Sequence, residues 1–89
     1  MEKTMFTAQG NLVSDRVRLG RAMQKPPLTQ QGLANKIQFQ GLSGMTKYII
    51  SRIELGDRRV IDAELRALAL ALNVSIDWLV GDTEDPKRK

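Results

Sequence analysis

Four residues suited to start a helix, Thr29, Thr46, Asp62 and Ser75, each open a run with apolar residues at helical spacing, and Gly41, Gly56 and Gly81 close three of those runs. A hydroxyl or carboxylate oxygen at a helix start accepts from a backbone N–H that has no partner in the helix. Glycine at the end adopts the left-handed turn that releases the chain. Punctuation this dense leaves room for short helices and little else. The spacing predicts a first helix from Asn11, with Val13, Val17 and Ala22 on one face and Arg16, Arg18 and Lys25 elsewhere, stopped by Pro26-Pro27. A second, 29–40, carries Leu33, Ala34 and Ile37, and a third, 46–55, puts Ile50 and Ile53 on one face. A fourth, begun by Asp62, buries Leu65, Leu68, Ala69 and Leu72, and a short fifth after Ser75 holds Ile76, Trp78 and Leu79. No Val/Ile/Thr-rich run alternates with period two, so no strand is assigned. The expected fold is all-α, a compact bundle of about five helices around the single core that 89 residues can build.

Residues 1–11 lack periodicity and are expected to form a flexible arm, 12–81 the domain, and the polar, Pro86-bearing stretch 82–89 a disordered tail or the start of a linker. The chain has no cysteine and no histidine, which removes disulfide scaffolds, thiolate zinc sites and imidazole catalysis. Neither a metal nor a cofactor is expected. Its carboxylates and lysines form no recognisable pairing of nucleophile and base, and no glycine loop is built to cradle phosphate, so enzymatic activity is not expected. No stretch approaches the roughly 18 apolar residues of a membrane span, nor does the N-terminus resemble a signal peptide. The expected setting is therefore cytoplasmic, without a membrane partner.

The formal net charge is +4, and in the tail Lys87, Arg88 and Lys89 cancel Asp82, Glu84 and Asp85, so the excess belongs to the body. A basic body is compatible with a phosphate backbone as partner, but position has to decide. Helices 29–40 and 46–55 are consecutive, joined by a short glycine-bearing connection and flanked by further helices that can bury their apolar faces. This is the helix-turn-helix plan.

From about Val17 to Asp82 the chain resembles the phage-repressor and Cro-like family, also called the xenobiotic-response-element (XRE) family. The matching segments are Arg18-Leu19-Gly20-Arg21, Leu28-Thr29-Gln30-Gln31-Gly32-Leu33-Ala34 and Ile50-Ser51-Arg52-Ile53-Glu54-Leu55-Gly56, followed by the run from Leu65 to Leu79. Each is weak alone, but four in this order are specific. Two departures stand out. About six extra residues, Gln38 to Ser43, lengthen the connection and are expected to extend the second helix by a turn, with Leu42 and Met45 filling the gap. Gly32 stands where a helix former such as Glu is usual, at a cost of about 1 kcal/mol relative to alanine.

The resemblance implies a lambda-repressor-like DNA-binding domain whose third helix lies in the major groove of double-stranded DNA, presenting Lys47, Tyr48, Ile49, Ser51 and Arg52. Arg52 suits a bidentate pair with guanine, its alternatives being a phosphate clamp or plain solvation. Lys47 and Tyr48 suit either base or phosphate. Ile49, about 100° around the helix from Ile50, either meets a thymine methyl or packs at the rim of the core. Thr29 and Thr46 cap helices whose N-termini favour phosphate. Gln30 matches a position that hydrogen-bonds the DNA backbone, and Arg58 and Arg59 a loop that meets phosphates. Arg21 and Glu54 match a structural ion pair between the first and third helices. Val60, Ile61 and Trp78 are the apolar residues available for a homodimer interface, with Trp78 able to serve either that interface or the core. The implied function is a transcriptional regulator, more often a repressor in this family. The rival is an antitoxin-like or accessory interaction module whose main partner is a protein.

Overall fold

Each capped run becomes a helix in the computed structural model, which describes residues 12–88. The elements are α1 (Leu12–Ala22), α2 (Gln30–Phe39), α3 (Lys47–Leu55), α4 (Asp62–Leu72) and α5 (Ile76–Leu79), with no strand among the described residues. The expected all-α bundle is what the chain forms; the N-terminal arm, 1–11, lies outside the described residues. The capping oxygens do what their positions suggested: Thr29 accepts from the Gly32 N–H at 2.9 Å, Thr46 from Ile49 at 3.3 Å and Ser75 from Trp78 at 3.0 Å. Such caps are worth about 1 kcal/mol each. Asp62 is the exception, because it is the first helical residue and Ile61 occupies the cap position. An isoleucine side chain cannot accept, so Glu64 reaches back and takes the Ile61 N–H at 3.2 Å.

The core is assembled from one face of every helix: Val13 and Val17, then Leu33, Ala34 and Ile37, then Ile50 and Ile53, then Leu68 and Leu72, and finally Trp78 and Leu79. α2 packs on α3 and α4, while α1 packs on α3, α4 and α5. Ala22, expected on the buried face of α1, is exposed, and Gly20 is buried there instead. A Cβ on Gly20 would stand 3.0 Å from Leu72 Cδ1, so the absent side chain is what lets α1 approach α4. α1 also ends at Ala22, short of the prolines: the Gln24 amide donates to the Gly20 and Leu72 carbonyls at 3.0 and 2.9 Å and closes the last turn.

Arg16 was placed off the apolar face and is in fact 8% exposed, one helical turn from Val13. Burying its charge is tolerable because the guanidinium is hydrogen-bonded, ion-paired and laid over an aromatic ring. Its guanidinium donates to the Trp78 and Thr83 carbonyls at 2.8 and 3.3 Å, pairs with Glu84 at 3.2 Å, and lies 4.7 Å from the Trp78 ring centre. This arginine draws the tail onto the bundle, and the Ser75 N–H adds a bond to the Pro86 carbonyl at 3.0 Å. The stretch 82–86, expected to be disordered or to open a linker, therefore packs against α1 and the start of α5.

The connection between α2 and α3 differs from expectation in form but not in its apolar plug. Gln38 and Phe39 extend α2, whereas 40–46 is irregular, because Gly41 leaves the helix at φ 108°. Met45 is buried and Leu42 half-buried against the core. Two glutamine amides tie the segment down, Gln38 to the Met45 carbonyl at 2.8 Å and Gln40 to the Ala67 carbonyl at 3.0 Å. No helix among the described residues is long and apolar enough to cross a membrane.

Candidate nucleic-acid interface

With Ile50 and Ile53 turned inward at zero exposure, the 3.6-residue period sends Tyr48, Ser51, Arg52 and Leu55 to the opposite side of α3, with Lys47 beside them. Lys47, Tyr48 and Arg52 are exposed and Ser51 half-exposed. The Lys47 ammonium sits 5.5 Å from the Tyr48 ring centre, which keeps both at the amino end of the helix. Ile49 resolves toward the second of its two readings: it is half-buried, packs against the core, and lines a cleft with Leu42, Met45, Arg58 and Ile61.

Charge along this part of the chain is one-sided. Between Leu28 and Gly56 the ionisable residues are Lys36, Lys47, Tyr48, Arg52 and Glu54, and the one carboxylate is withdrawn from the surface. Glu54 is 6% exposed; it accepts from Arg21 Nε at 2.7 Å and Nη2 at 2.8 Å, and from the Gln30 amide at 3.0 Å. The bidentate bond raises the Arg21 pKa still further. Arg21 and Glu54 thus join α1 to α3 as the resemblance implied, and Gln30 brings α2 into the same cluster. Arg18 donates to the Glu54 carbonyl at 3.2 Å and helps to close the C-terminal turn of α3. Exposed acids lie outside that span: Asp57 directly follows Gly56, Asp15 is on α1, Asp62 opens α4, and Asp77, Asp82, Glu84 and Asp85 fall on α5 and the tail, with α5 packed on α1 and α4.

The residues assigned to backbone contact are placed less uniformly. Thr29 and Thr46 are exposed at the starts of α2 and α3, neither of which carries an acid in its first turn. Gln30 is half-buried with its amide turned toward Glu54. Arg59 is exposed. Arg58 is half-buried and already engaged, bidentate to Glu64 at 2.8 and 3.0 Å, so a phosphate there has to share its donors. Of the set assigned to self-association, Trp78 is 3% exposed and belongs to the core; it is large, apolar and covered by Arg16. Val60 is half-buried, and Ile61, 59% exposed, is the residue of the three that offers a surface.

Two features escaped the sequence reading. Asp57, beyond the end of α3, accepts from Arg52 Nε at 3.4 Å. Gly32 acquires a steric account, since a Cβ there would meet Leu28 Cδ1 at 3.0 Å and the capping Thr29 Oγ1 at 3.2 Å. A side chain at position 32 would press on the cap that starts α2.

The Arg58–Glu64 pair makes a pH prediction. The hydrogen bonds from Arg58 hold the Glu64 carboxyl below its usual 4.5, against an opposing effect of burial. A carboxyl whose folded pKa is depressed adds stability that is present above the unfolded value and lost as pH falls through the folded one. The parent should therefore be more stable than Glu64→Gln at pH 7, with the difference shrinking below about pH 4.5. Urea midpoints of both proteins at pH 7 and pH 3 check this, and an equal gap at the two pH values contradicts it.

No family model matches the chain, and neither does any curated protein or solved structure.

Proposed function

We propose that this protein is a sequence-specific regulator of transcription that binds double-stranded DNA with the outward face of α3, acts as a repressor by occluding polymerase, and belongs to the Cro-like helix-turn-helix family. The observation that carries the reading is the face itself: Lys47, Tyr48, Ser51 and Arg52 stand outward on one short helix, and the single carboxylate between Leu28 and Gly56 is buried. A helix fits the major groove, and an arginine and a lysine on it meet the acceptor edge of guanine or the flanking phosphates. The support behind that face suits recognition, because α3 is held to α1 and α2 through Glu54 and side chains need a rigid frame to discriminate bases.

Regulators of this kind read two half-sites about 34 Å apart as dimers. With Trp78 in the core, a dimer here would use Ile61 and the half-buried Val60. The test begins with selection of bound duplexes from a random pool, followed by titration of the selected operator and a scrambled duplex across a salt series. An inverted repeat bound by two chains is expected. Arg52→Ala should cost about 1 to 3 kcal/mol on the operator and relax preference at one base pair, with little effect on the scrambled duplex. Equal weakening of both duplexes makes Arg52 a phosphate contact, and no change from the variant means that α3 does not face DNA.

One observation favours the second reading, an interaction module with a protein partner. Phe39 is 93% exposed and lines a shallow depression with Leu70, itself 46% exposed. Lack of affinity for any duplex at low salt selects this reading over the first.

A further inference from the structure

We infer that Asp57 is a positioning residue for Arg52 and sets how sharply this protein discriminates at the base pair Arg52 reads; the inference rests on the DNA-binding reading above. α3 ends in a left-handed turn at Gly56, φ 82°, which hydrogen-bonds back to the helix while the Asp57 N–H donates to the Arg52 carbonyl at 3.0 Å. That six-residue closure is the reason a residue outside the helix comes to lie beside Arg52. The Asp57 side chain then accepts from Arg52 Nε at 3.4 Å.

The choice of nitrogen matters. A guanidinium pairs with guanine O6 and N7 through two parallel N–H donors, and its planar fork offers more than one edge for doing so. With Nε facing Asp57, no hydrogen bond among the described residues takes up the terminal Nη1 and Nη2, and the edge they form is the one left to meet a base. Asp57 thus favours an end-on approach and opposes the side-on approach through Nε that suits a phosphate. Both side chains are more than half exposed, at 58% and 55%, so the pair adds little to folding and its effect is on where the guanidinium points. The carboxylate also repels DNA phosphates, which lowers affinity for every sequence and raises the relative weight of the correct one.

These two effects separate in one experiment. Parent, Asp57→Ala, Asp57→Asn, Arg52→Ala and the double variant are titrated with the selected operator, with operators altered at each base pair, and with a scrambled duplex at fixed salt. Asp57→Ala keeps the backbone bond to Arg52. It should bind the scrambled duplex more tightly than the parent and lose about tenfold in discrimination at the one base pair where Arg52→Ala loses it. Asp57→Asn, which retains an acceptor oxygen, should keep most of that discrimination. In the double variant, discrimination should fall no further than in Arg52→Ala. If Asp57→Ala raises affinity for all duplexes alike with unchanged ratios, the carboxylate is only a repulsive charge and the positioning role is overturned. A parent that binds no duplex fails the DNA-binding reading instead.

Discussion

Glu54→Ala should lower the stability of the fold by about 3 to 5 kcal/mol, the usual cost of removing one partner of a buried ion pair. At 18% and 5% side-chain exposure, Arg21 and Glu54 are shielded enough for that range to apply. The variant leaves the Arg21 guanidinium with the Leu28 carbonyl at 3.0 Å as its remaining acceptor, and deprives the Gln30 amide of a bond at the same time. For a domain of this size each kcal/mol moves the melting temperature by about 4 to 8 °C, so a fall of more than 10 °C is expected. A thermal melt within a degree or two of the parent overturns the assignment. Replacing both partners, as in Arg21→Met with Glu54→Leu, should recover much of the loss, because the penalty comes from an orphaned charge and not from the missing attraction.

Trp78→Ala should cost a comparable 3 to 5 kcal/mol, roughly the range for emptying an aromatic site in a core. Trp78 is 3% exposed and carries the Arg16 guanidinium over its ring, so the substitution opens a cavity and strips the cover from a buried charge. The tail contacts made by Arg16 to Thr83 and Glu84 should loosen with it. Urea unfolding at two protein concentrations separates this role from self-association. A core residue lowers the midpoint equally at both concentrations, whereas an interface residue changes the concentration dependence and leaves the monomer intact. The second outcome contradicts the placement described here.

The helices were legible because their signals are local. Thr29, Thr46 and Ser75 each accept from an N–H three residues away, so identity and spacing along the chain suffice to place the start of a helix. The same holds for the apolar faces of α2, α3 and α4, where the helical period alone decides which residues turn together. Asp62 misled by one position because the cap function passed to Glu64, a residue whose side chain reaches back along the chain. The candidate surface was legible in part: Lys47, Tyr48, Ser51 and Arg52 point outward because Ile50 and Ile53 must point inward.

What local signals could not decide were contacts between distant residues. Arg16 reaches Trp78, Thr83 and Glu84 across separations of 62, 67 and 68 residues, and nothing in the spacing around Arg16 announces them. Those contacts bury Arg16, which the spacing sets apart from the apolar face, and turn the tail from a free end into a strap, while Trp78, open to either interface or core, falls in the interior. Likewise Gly20 became a packing site only when Leu72 arrived opposite it. The sequence by itself determined which stretches are helical, to within a residue where α2 to α5 start, and that α2 and α3 carry the basic residues Lys36, Lys47 and Arg52 against one carboxylate, Glu54. The tertiary structure decided which polar side chains are buried and which apolar ones are left out. The physical reason is that a helix satisfies its backbone within four residues, whereas burial of a side chain depends on what the rest of the chain brings against it.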